Sequence, residues 1–98
     1  MGEKSEPWEI DLYRAVDEVL FYIWDPIGVS CAPEARDEYQ AYLPQVYGLL
    51  AEGALDAEIA SYLGSVTEYM GLSPNSKHDA EVVEVLLRWR SIINERYT

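Results

Sequence analysis

The chain has 98 residues, 49% of them apolar, and carries 18 Asp and Glu against 7 Lys and Arg for a formal net charge of -11. That length suits one domain with one core, and the apolar content sets the chain apart from disordered segments. A field of this sign repels the phosphates of DNA, RNA and anionic lipids, which argues against direct binding to any of them. Cys31 stands alone, so no intrachain disulfide can form, as suits a reducing compartment. No apolar run approaches the ~20 residues of a membrane-spanning helix. The start, MGEKSEPWEI, has acids where a secretory leader has bases, and the expected location is cytoplasmic.

Residues 1–8 precede the first periodic run and are expected to form a flexible N-terminal segment. From about 9 to 24, Leu12, Val16, Val19, Leu20 and Ile23 recur at helical spacing and define one apolar stripe. The polar arc centres on Asp11, Arg14 and Glu18, and Phe21 and Tyr22 fall on the rest of the outer surface. The stretch IWDPIG then stops the helix. The residue before a proline is pushed out of the α region, and Gly28 supplies the positive φ that a tight turn often demands. Trp24, Asp25, Pro26 and Gly28 are therefore read as a structural corner.

The second helix is expected over about 33 to 52, with Ala35, Tyr39, Tyr42, Leu43, Val46 and Leu50 inward. Pro33 suits its first turn, Pro44 should kink or break it near 42 to 44, and Gly53 stops it. Asp56 is the expected N-cap of a third helix, about 57 to 70, with Ile59, Leu63, Val66 and Met70 inside and Gly71 at its end. After the turn GLSPNS, Ser73 or Ser76 is a candidate cap, Ser76 with Asp79 forming a variant capping box. The last helix, about 77 to 96, turns Val82, Leu86, Trp89 and Ile93 inward and Glu81, Glu84, Arg88, Ser91 and Glu95 outward. No segment shows sustained strand alternation. The expected fold is all-α, a compact single-domain bundle of about four helices.

Candidate chemistry is sparse. Asp25 as a general base would need a second polarised group, and its own segment offers none. His78 has Asp79 beside it and Glu81 nearby, but adjacent helix positions do not converge on one point as zinc requires, so these read as solvated first-turn residues. No metal or other cofactor is expected. Cys31 has no nearby histidine, and there is no G-x-S-x-G, P-loop, H-E-x-x-H or Gly-rich dinucleotide loop. The chain reads as a non-enzyme. Trp8, Trp24 and Trp89 read as core or core edge. Tyr39 and Tyr42 fall on the inner stripe of the second helix, while Tyr47, Tyr62, Tyr69 and Tyr97 lie at stripe edges, where a buried ring with a wet hydroxyl suits an interface.

The acids are unevenly spread: residues 1–58 hold 13 acids and 3 bases, residues 59–98 only 5 and 4. On the second helix Glu34, Asp37, Glu38, Gln45 and Glu52 share the outward arc with no Lys or Arg among them, and Tyr47 lies at its edge. Such a stripe is either a solvated face that keeps the protein soluble or a surface that steers a basic partner.

The helix ending in WDPIG, followed by EARDEYQAYLPQVYGLL and a final apolar helix, resembles a group of small acidic all-α bacterial proteins, mostly of unknown function, with a Trp-Asp-Pro-x-Gly corner after the first helix. Proteins of this look also occur among immunity proteins that neutralise bacterial toxins, nuclease toxins included. The resemblance implies a fold and carries over no catalytic residue. The expected function is a non-enzymatic protein-binding module, of immunity or inhibitor type, that neutralises a basic toxin or nuclease-type partner through its acidic helix face. The alternatives are a helical domain binding a small molecule or metal near Asp25 and His78, and a self-associating protein with Phe21 and Tyr22 on a homodimer face.

Overall fold

The computed structural model describes residues 6–98. It is an all-α bundle of α1 (Pro7–Val19), α2 (Leu43–Ala51), α3 (Asp56–Tyr69) and α4 (Ser76–Arg96), with no strand among the described residues. The apolar stripes meet in one core: Leu12, Val16 and Val19 from α1, Leu43, Val46 and Leu50 from α2, Ile59, Leu63 and Val66 from α3, and Val82, Leu86 and Ile93 from α4. Both α1 and α3 pack against α4 and α2. Polar ties at both ends, from His78 to Ile23 and from Arg96 to Asp11, set α1 antiparallel to α4.

Helix α1 starts earlier than expected. Pro7 occupies its first turn, where a missing N–H costs nothing, and the Glu9 carboxylate accepts the Glu6 N–H at 2.7 Å. Pro7 and Trp8 thus belong to the helix, while residues 1–5 of the expected flexible segment lie outside the described residues.

The end of α1 departs from the simple stripe. Residues Leu20–Trp24 form one π-helical turn, in which the Asp25 N–H reaches five residues back to the Leu20 carbonyl at 3.0 Å. The wider turn shifts the phase of every side chain after Leu20. Phe21, expected outside, is buried, and Ile23, expected inside, is exposed, its place in the core taken by Trp24.

The expected second helix is cut in half. A 3₁₀ turn spans Pro33–Ala35, and residues 36–42 continue as successive tight turns, such as Glu38 N–H to the Ala35 carbonyl at 2.9 Å and Tyr42 N–H to the Tyr39 carbonyl at 3.0 Å. Pro44 explains the break, since it has no N–H and its ring would clash with the Gln40 carbonyl in a continuous α-helix. It therefore sits in the first turn of a new helix instead of kinking an old one. Gly53, with φ 79°, and Gly71, with φ 83°, follow α2 and α3 as expected.

The caps also differ from expectation. Leu55, not Asp56, precedes α3, and the Glu58 carboxylate accepts its N–H at 3.2 Å, because an acid in the first turn can reach back where leucine offers no acceptor. Asn75 caps α4 in place of Ser73 or Ser76, its side-chain oxygen accepting the His78 N–H at 3.0 Å. Trp89 is 38% exposed and not a core residue; the buried stripe of α4 runs through Val82, Val83, Leu86 and Ile93, and Trp89 lies at its margin.

Leu86, fully buried at the centre of α4, tests the packing. Leu86→Ala should lower the unfolding free energy by about 2–5 kcal/mol, read by denaturant titration.

Candidate functional site at the helix corner and acidic surface

The corner after α1 is organised by one carboxylate. Asp25 itself takes a left-handed conformation with φ 33° and ψ 62°, which Asp tolerates better than most residues. Its Oδ1 accepts the N–H groups of Gly28 and Val29 at 3.1 and 2.9 Å, and its Oδ2 accepts the Ser30 N–H at 3.0 Å. The Tyr39 hydroxyl donates to the same Oδ1 at 2.6 Å and accepts the Ile27 N–H at 3.0 Å. Four donors thus reach this carboxylate, three of them on Oδ1 and one on Oδ2. Burial alone would raise the Asp25 pKa, but the Tyr39 hydroxyl and the Val29 and Ser30 N–H groups hold it below the usual Asp value. Tyr39 shows the converse, burial and the adjacent Asp25 carboxylate pushing its hydroxyl well above the usual tyrosine value. A carboxylate whose pKa is lowered in this way is a weak base. The second polarised group missing from the segment is Tyr39, and it serves the turn.

A second pair of bonds fastens the corner to α4. The Trp24 indole N–H donates to Asp79 Oδ1 at 3.1 Å, and His78 Nε2 donates to the carbonyls of Ile23 and Trp24 at 2.8 and 3.2 Å. Carbonyls only accept, so Nε2 carries the proton. These are carbonyls at the end of a helix, which has no intrahelical partner for them. The expectation that His78 and Asp79 are both solvated is corrected: Asp79 is 4% exposed, under Trp24, and His78 is half-buried. Burial raises the Asp79 pKa, with the Trp24 hydrogen bond and the neighbouring His78 opposing it. Asp79, His78, Thr67 and Asn75 line a polar cavity of about 420 Å³ beside the corner. No group of three or more His, Cys, Asp and Glu side chains converges to hold a metal among the described residues.

The acidic positions divide into two sets. Glu34, Asp37 and Glu38 are exposed on the irregular segment before α2, while Gln45 and Glu52 are exposed on α2 itself, so the single helical stripe does not exist. Tyr47 is half-buried, its hydroxyl donating to Glu9 Oε2 at 3.3 Å and its ring 5.5 Å from that of Tyr13, so it joins α2 to α1. Arg36, amid the acids, turns away from them. Its guanidinium makes a two-pronged pair with Asp17 at 3.0 and 2.9 Å and stacks over the rings of Phe21 and Tyr22 at 4.9 and 5.3 Å.

Sequence reasoning missed Asp79, although a signal existed: it lies three residues before Val82 and seven before Leu86, on the buried stripe. For the Trp24–Asp79 bond, 55 residues apart in the chain, there was none. No family model, curated protein or solved structure matches this chain.

Asp25→Asn keeps the left-handed backbone favourable but presents an amide where Ser30 needs an acceptor; it should cost about 1–3 kcal/mol near neutral pH. With a lowered folded pKa, the stability Asp25 supplies is complete above about pH 4 and lost as pH falls through the folded value, so this part of the acid limb should flatten in the variant, as read by urea titrations across pH. Asp79 has the opposite sign. Its stabilising form is the protonated one, lost as pH rises through the raised folded value, so Asp79→Asn should raise the melting temperature near pH 7 and confer little advantage near pH 4.

Proposed function

We propose that the protein is a non-enzymatic, cytoplasmic binding module of immunity or inhibitor type, whose acidic surface around Glu34, Asp37 and Glu38 engages a basic protein partner of toxin or nuclease type. One observation carries this reading: between residues 15 and 76 the only Lys or Arg is Arg36, and its charge is paired with Asp17 of α1. The exposed carboxylates of that span therefore have no cation of their own within it. They are also held in place, because Arg36 ties the segment to α1 and Tyr39 ties it to the corner. An acidic surface on an ordered scaffold raises the association rate of a basic partner and disfavours acidic ones. The lowered pKa of Asp25 and the four hydrogen bonds it accepts within the fold support a turn role for that carboxylate over that of a general base.

The test compares the wild type with the Glu34→Lys, Asp37→Lys, Glu38→Lys triple variant as bait in a lysate of the source organism, at low and then rising salt. A basic protein retained by the wild type, shed as salt rises and absent from the triple variant is the expected outcome. Identical sets of bound proteins on both baits would refute the reading.

A further inference from the structure

Helix α4 carries an apolar ridge that the bundle leaves uncovered. Trp89 and Ile92 are 38% and 41% exposed, and Val85, one turn before Trp89 on the same side, is half-buried. Phe21 cannot contribute to a docking face as the sequence suggested, since it is 2% exposed.

We propose that this ridge is a homodimer interface in which α4 packs antiparallel on α4 of a second copy, about a two-fold axis between positions 88 and 89. Two features select a second copy as the occupant. The first is electrostatic. In a chain of net charge -11, α4 holds Asp79, Glu81, Glu84 and Glu95 against Lys77, Arg88, Arg90 and Arg96, so this helix is electroneutral and two copies of it can meet with opposite charges opposed. The second is the symmetry of the pattern, because a two-fold contact must be complementary to itself. Val85 and Ile92 are equidistant from the axis and face each other across it, as do Glu81 and Arg96, and Trp89 stacks against its counterpart. Arg96 sits 3.1 Å from Asp11 through one nitrogen, and its fork retains donors for Glu81 of the second copy. The interface uses none of Glu34, Asp37 or Glu38, so it stands or falls independently of the proposed partner surface.

Sedimentation equilibrium over a wide concentration range is the test. The wild type should move from 11.2 kDa toward twice that mass as concentration rises. Trp89→Glu, at an exposed position, should weaken dimerisation by about 30-fold or more, as loss of a central interface tryptophan does. Glu81→Arg should weaken it too, by bringing like charges together, and adding Arg96→Glu should restore it; this pair keeps the register testable even if Trp89→Glu perturbs folding. A single 11.2 kDa species throughout, or a dimer indifferent to both Trp89→Glu and Glu81→Arg, overturns the proposal.

Discussion

The acceptor capacity of the Asp25 side chain makes the rest of the arrangement possible. A chain that leaves a helix at a Trp-Asp-Pro corner exposes successive N–H groups with no ladder to enter, and the carboxylate collects those of Gly28, Val29 and Ser30. By also accepting the Tyr39 hydroxyl, it anchors the segment that follows. That segment has no α-helical ladder to stiffen it, and its order comes from Tyr39 at the corner and Arg36 on α1. Local turn chemistry and long-range packing are here one network.

Two aspartates meet at this corner in opposite electrostatic circumstances. Asp25 is ringed by donors, which favour the ionised form; Asp79 lies under an indole with one donor, where desolvation favours the neutral form. Both are structural, yet one gains stability from its charge and the other loses it. The same division extends across the molecule. Asp11 and Asp17 answer to Arg96 and Arg36, while the carboxylates of the irregular segment answer to solvent.

Most of the fold was legible because apolar spacing and breaker residues report on local geometry. Leu12, Val16 and Val19, or Ile59, Leu63 and Val66, needed only the helical period, and Gly53 and Gly71 only a demand for positive φ. What stayed hidden depended on partners distant in the chain or on small phase changes. The π-turn adds one residue to a single turn and thereby exchanges Ile23 for Trp24 and buries Phe21, an outcome that a constant period cannot express. Pro44 reads from sequence as a disturbance, but whether it kinks one helix or begins another depends on the preceding residues, which here run as tight turns and leave Pro44 in the first turn of α2. The corner's role was readable from IWDPIG. Its attachment through Trp24 to Asp79 was not, since nothing adjacent to either residue names the other.

The antiparallel pairing of the first helix with the last has a consequence for how the chain is made. Helices α3 and α4 are neighbours in sequence and can zip together through local contacts, which form fast. The α1 stripe is made before its α4 partner and stays without it until α2 and α3 have also been synthesised, and Trp24 cannot find Asp79 before then. During that interval a strongly apolar helix end, Leu20 to Trp24, is open to other chains. The excess of acids over bases in residues 1–58 makes such incomplete chains repel one another while that end is uncovered.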